Sequence, residues 1–228
     1  MSASHEVVGV LGGTFDPVHL GHLHVARQVA VVFDLGRVFL VPSASPPHKP
    51  RGPVASARDR FEMIRLSVAG ESSIIASPLE IQRGGTSYTI DTLDVLRAQG
   101  LVPLFVLGLD SLAELTTWRH HDRLLSEFDL VAVDRAGSSI DEARRASAAP
   151  VVRRIVPLAC LPGAGARVEG GLPGYGGRIF YLAAPAIDVS SSLVRARTAA
   201  GAPLDGLVPA PVARYIQEHG LYSKEADR

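Results

Sequence analysis

Two histidines three positions apart, His19 and His22, stand in the string Gly12-Gly13-Thr14-Phe15-Asp16-Pro17-Val18-His19-Leu20-Gly21-His22. On the first turn of a helix that spacing puts both imidazoles on one face. There they can donate hydrogen bonds to phosphoryl oxygens as charge moves in a transition state. Gly12-Gly13 lets the backbone approach a ligand closely. A helix N-terminus beyond it offers unpaired N–H groups and the positive end of a dipole, which suits phosphate. A zinc pair would need a third Cys, His or carboxylate ligand, and none sits at a recognisable spacing. Taken singly, a Gly-Gly pair also reads as a turn and a His-x-x-His as two surface residues.

A second string, Ile187-Asp188-Val189-Ser190-Ser191-Ser192-Leu193-Val194-Arg195, lies near the other end of the chain. Serine before an apolar periodic run is a good helix N-cap, but three in a row exceed what one cap requires. The surplus hydroxyls and N–H groups can receive a polyphosphate, with Arg195 one turn later supplying charge-assisted contacts.

Both strings need elements to position them. Val7 to Leu11 is short, apolar and β-branched, and reads as a buried strand ended by Gly12. From Leu20 to Phe33 apolar residues recur at helical spacing. Further strands are predicted at Val38–Val41, Pro103–Leu107, Asp129–Val133 and Ile179–Leu182. Helices are predicted at Ala57–Ala69, with Phe61, Ile64 and Val68 on one face, and at Thr89–Gln99, Asp141–Ala149, Ser191–Ala200 and Pro211–His219. Alternation of this kind implies βαβ units and a mostly parallel, doubly wound α/β sheet. One domain over 1–228 with a small C-terminal helical part, about 188–222, is expected. Pro162 to Gly177 holds seven of the 22 glycines and reads as a surface loop, since no GK[ST] or GxGxxG pattern accompanies it.

Composition narrows the partners. Hydrophobic residues make up 46% and charged residues 20%, as in an ordinary globular protein. Apolar runs reach only about five residues, so no membrane span is expected. No basic-then-apolar leader is visible at Met1–Glu6, and Cys160 is the sole cysteine. These features point to a cytoplasmic location. Lys+Arg and Asp+Glu balance at 23 each, which argues against a broad nucleic-acid footprint. Of the basic residues 21 are Arg, and one of the two lysines is Lys49.

The string from Gly12 to His22, in its strand–turn–helix setting, resembles the signature of the HxGH nucleotidyltransferase superfamily, and within it the nicotinate (or nicotinamide) mononucleotide adenylyltransferases. The second string resembles that family's ISSTxIR motif, departing at Val189, Ser192 and Val194 while keeping each hydroxyl or β-branch. Pro42–Lys49 (PSASPPHK), Ser87–Leu93 (SYTIDTL), Gly108–Leu112 with Leu115 and Trp118, and the tail Ile216–Tyr222 (IQEHGLY) also resemble the bacterial branch. The resemblance covers nearly the whole chain except Pro162–Gly177.

It implies a Rossmann-like nucleotidyltransferase fold. The implied reaction joins ATP and nicotinate mononucleotide to give nicotinate adenine dinucleotide and pyrophosphate, a step of NAD biosynthesis, with Mg²⁺ carried on the polyphosphate. It assigns catalysis to His19, His22 and Arg195, and ATP binding to these together with Gly12, Gly13, Thr14, Phe15, Gly108, Asp110, Ser190 and Ser191. By the same resemblance Trp118 stacks on the nicotinate ring, Thr89 and the Arg119 backbone hold its carboxylate, and His48 and Lys49 gate the site or approach phosphate. Alternatives are the same chemistry on nicotinamide mononucleotide or another phosphate acceptor, or a non-catalytic nucleotide-binding regulator.

Overall fold

A computed structural model describes residues 6–46, 52–134, 139–157, 176–183 and 187–223. Seven strands form one parallel sheet: β1 (Glu6–Gly13), β2 (Val38–Pro42), β3 (Ile74–Ala76), β4 (Leu101–Gly108), β5 (Asp129–Val133), β6 (Ile155–Pro157) and β7 (Ile179–Leu182), in the order β3-β2-β1-β4-β5-β7-β6. The helices are α1 (Leu20–Val32), α2 (Ala57–Ser67), α3 (Leu79–Arg83), α4 (Thr89–Ala98), α5 (His121–Glu127), α6 (Ile140–Ala146), α7 (Ala149–Val152), α8 (Ser191–Ala199) and α9 (Ala210–Glu218). Short 3₁₀ turns at Leu109–Leu112 and Leu115–Thr117 link β4 to α5.

Alternation along each strand sends neighbours to opposite faces. Leu11, Leu40, Val106 and Val131 pack with α1, α2, α8 and α9 on one side. Val10, Val41, Phe105 and Leu130 pack with α4, α5 and α7 on the other. Both faces are therefore covered, as an all-parallel sheet requires. The chain builds outward from β1 to β3, then returns to β4 on β1's other side, leaving a crevice where the β1 and β4 carboxyl ends diverge. That switch point is where open α/β sheets bind ligands.

The expected strands and helices are present, with additions. β3 and β6 are three residues each, too short for a periodic signal. The helix expected over Asp141–Ala149 stops at Ala146 and resumes as α7. Pro150 explains the break, because its ring excludes the carbonyl four residues back, that of Ala146, and its predecessor disfavours helix. Of the Gly-rich segment, only Gly176 and Gly177 lie within the described residues. Both have φ near +100° (99° and 98°), and a Cβ on Gly176 would stand 2.4 Å from the Ser126 carbonyl. Glycine is what lets the chain enter β7 so close to α5.

Candidate active site

β1 ends on Gly12 and Gly13, and the next five residues form a loop that delivers His19 to the N-cap of α1. Phe15 is buried with φ of 48°, a left-handed conformation disfavoured for a bulky residue. Its ring packs edge-on to His22, with centroids 4.8 Å apart. The His19 and His22 rings stack at 3.6 Å. The His19 N–H donates to His22 Nδ1 at 3.2 Å, so the neutral His22 ring carries its proton on Nε2. Histidine thus takes the place of the usual Glu or Gln in a capping box. No acid occupies the first turn of α1, which leaves its positive dipole end uncompensated.

Gly21 sits in close packing. An added Cβ would lie 3.1 Å from His19 Nδ1 and 3.1 Å from Val189 Cγ1. Val189 belongs to the second string, so the two strings meet here. The Ser191 hydroxyl donates to the Pro17 carbonyl at 2.9 Å, and Arg195 Nη1 donates to the Asp16 carbonyl at 2.6 Å. The Leu20 N–H donates to the Leu207 carbonyl at 2.9 Å. The N-termini of α1 and α8, neither with an acid in its first turn, therefore converge on one place.

The serines divide their work. Ser190 Oγ accepts from the Leu193 N–H at 3.1 Å, the ordinary N-cap bond. Ser191's proton goes to Pro17, and Ser192 Oγ accepts from Arg195 Nη2 at 3.1 Å. Ser190 and Ser192 thus act as acceptors in these bonds and keep their hydroxyl hydrogens, whereas that of Ser191 is used.

Across the crevice, Gly108 ends β4 and Asp110 is exposed in the following 3₁₀ turn. Trp118 is half-buried, edge-on to Phe105 at 6.1 Å between centroids. Thr89 opens α4 directly after Tyr88. The Arg119 guanidinium lies over the Tyr88 ring at 4.6 Å, a cation–π contact that ties the Trp118 turn to the start of α4. The Trp118 N–H donates to the Leu115 carbonyl at 3.2 Å, and the Arg119 N–H is the next backbone donor along the turn. Predicted residues His48 and Lys49 lie outside the described residues.

Sequence reasoning missed what holds the loop from below. Arg60 is 1% exposed, on the core stripe of α2 with Met63 and Ile64, and Phe61, expected on that face, is only half-buried. Arg60 Nη1 donates to the Thr14 carbonyl at 2.7 Å. Burial pushes its pKa down, and the Asp16 carboxylate opposes that shift. Asp16, 3% exposed, accepts from Val54 N at 2.7 Å, Ala55 N at 3.0 Å and the Tyr222 hydroxyl at 2.8 Å. The one available signal was an arginine at a helical core position.

Known proteins resemble this chain in sequence and in fold. Residues 10–197 match the cytidylyltransferase-like family. A probable nicotinate-nucleotide adenylyltransferase from Symbiobacterium thermophilum is 42% identical over 217 residues, covering 94% of each chain. The chain belongs to the nicotinate-nucleotide adenylyltransferase family. A second member, from Geobacter metallireducens, is 39% identical over 95% of this chain and 98% of its own. The fold is that of the Plasmodium falciparum nicotinic acid mononucleotide adenylyltransferase complexed with NaAD, with a TM-score of 0.71 at 16% identity over 96% of this chain and 98% of that one. Among the described residues of this family member, no helix is long and apolar enough to cross a membrane.

Proposed function

We propose that this chain transfers the adenylyl group of ATP to the phosphate of nicotinate mononucleotide, giving nicotinate adenine dinucleotide and pyrophosphate in NAD biosynthesis. The observation that carries the reading is the convergence of the His19–His22 pair and Arg195 on one loop at the switch point, in a chain of this family. An acceptor phosphate oxygen attacks the α-phosphorus in line; the bond to the β-phosphate bridging oxygen breaks, and its electrons leave with pyrophosphate. No protein nucleophile is needed. His22, with its proton on Nε2, and His19 donate hydrogen bonds to phosphoryl oxygens where negative charge grows. Arg195 and the α8 N–H groups hold the polyphosphate, and the Gly12–Phe15 backbone lines the nucleotide.

Among the described residues no three His, Cys, Asp or Glu side chains are grouped to hold a metal. A Mg²⁺ that kept several waters and was carried on the polyphosphate would not require such a group, and exposed Asp110, just beyond β4, would offer it a carboxylate. The metal would neutralise polyphosphate charge.

Trp118 offers its face to the pyridine ring, with the Thr89 hydroxyl and the Arg119 N–H as donors to the carboxylate. A carboxylate only accepts, whereas the nicotinamide NH₂ would face a donor. That mismatch costs about 1–3 kcal/mol per unsatisfied group. Pyrophosphate release with ATP and each acceptor tests both points. kcat/KM is expected to favour nicotinate mononucleotide by about 10² or more. A ratio within about threefold of unity would remove the acid-specific reading, and no release with either acceptor would remove the catalytic one.

A further inference from the structure

We infer that Tyr222, in the C-terminal tail, is a positioning residue for the reaction: its hydroxyl holds Asp16, and Asp16 is the seat on which Arg195 is placed against ATP. The inference rests on the reading of Arg195 as a phosphate-binding group. Asp16 carries both halves of the link. Its Oδ1 accepts from the Tyr222 hydroxyl at 2.8 Å and its main-chain carbonyl accepts from Arg195 Nη1 at 2.6 Å. A shift of the carboxylate therefore moves the atom on which the guanidinium is aligned.

The bond joins two strained points. Phe15, next to Asp16, has φ of 48°, and Tyr222 has φ of 59°. Non-glycine residues hold such conformations only when their surroundings over-determine them. The surroundings here are a buried polar set: Val54 and Ala55 N–H on the carboxylate, and Arg60 on the Thr14 carbonyl and, at 3.3 Å, on that of Ala55. The Tyr222 ring is 5% exposed and belongs to the core, so the hydroxyl can be removed while the packing stays. Burial, then the charge of Asp16 and the hydrogen bond to it, push the hydroxyl's pKa well up, so it remains a donor.

The molecule supplies a matched control. Tyr215 on α9 donates to Asp59 on α2 at 2.9 Å, the same chemistry between two helices. Full-length Tyr222→Phe, Tyr215→Phe and Arg195→Lys proteins are compared by melting temperature and by steady-state kinetics with ATP and nicotinate mononucleotide each varied. Both Phe variants should melt a few degrees lower. Only Tyr222→Phe should raise the KM for ATP, about fivefold or more from a weakened charge-assisted bond, with the acceptor KM within about twofold. Asp16→Glu keeps the charge but displaces the acceptor from Tyr222, and carries the same expectation should Tyr222→Phe not purify folded. Unchanged ATP dependence in these variants, or an equal rise in Tyr215→Phe, overturns the inference. If Arg195→Lys also leaves the KM for ATP unchanged, the reading of Arg195 fails with it. A rise in Arg195→Lys alone sinks only the role of Tyr222.

Discussion

Gly21 separates the two histidines, and its lack of a side chain has a measurable consequence. His19 is stacked against His22 at 3.6 Å and faces the Gly21 Cα within the reach of a methyl group. Gly21→Ala must displace the ring or Val189 by a few tenths of an ångström. Alanine is the better helix former by about 1 kcal/mol, so helix stability should hold or rise. Turnover should fall by about tenfold or more, because small misplacements of catalytic groups are expensive. His22→Ala should cost about 10²–10³ in kcat, the scale of a lost oxyanion donor. A Gly21→Ala enzyme with wild-type kcat would show that the close packing does not set the histidine geometry. At this scale the sequence singled out His19, His22 and Arg195, and the structure brings the three to one loop after β1. The sequence was uninformative for Arg60 and Tyr222, whose partners lie 46 and 206 residues away. Ser191 shows the limit from the other side, since its hydroxyl suits a ligand but is spent on Pro17.

The proposed acceptor wall depends on how α4 and α5 are held, because Thr89 opens the first and the Trp118–Arg119 turn precedes the second. An ion network clasps them. Arg123 binds Glu127 at 2.8 Å and Asp94 at 3.1 Å, and Arg97 binds Glu127 at 2.8 Å and Asp94 at 2.5 Å. Hydrogen bonds from Arg123, then Arg97, bring the Glu127 pKa down to about 2. A carboxylate depressed in the folded state adds stability above its unfolded value, about 4.3, and loses it as pH falls through the folded one. Exposure makes the contribution small. Melting temperature should therefore decline between about pH 4.3 and 2, and decline less steeply in Glu127→Gln. Parallel profiles for the two proteins would remove Glu127 from the acid response. α4 was legible from its apolar period and the glycine that stops it, whereas α5 was not. Seven residues with two buried leucines, entered through His120 at φ of 52°, give periodicity too little length to register.

Over the whole molecule, the distinctive fact is that the chain's two ends build one site. Arg195 reaches Asp16 across 179 positions, and Ser191 reaches Pro17 across 174. The two strings could be read separately, and their pairing was expected only from resemblance. That they touch follows from the doubly wound order, which places β1 centrally and packs α8 and α9 on the same sheet face as α1. On the proposed function ATP is a cross-link between these distant segments, so its binding should report on global stability. A ligand bound only to the folded state at about 100 times its Kd adds about 2.7 kcal/mol. For a chain of this size each kcal/mol raises the melting temperature by about 2–4 °C, so saturating ATP should raise it by roughly 5–10 °C. Arg195→Lys keeps the charge but loses the planar fork that spans Asp16 and a phosphate. Most of the ATP-induced shift should disappear in that variant, while its melting temperature without nucleotide falls by only a few degrees. An ATP shift preserved in Arg195→Lys would mean that the nucleotide does not bridge the two ends through this residue, and that Arg195 serves only to dock α8 on the loop.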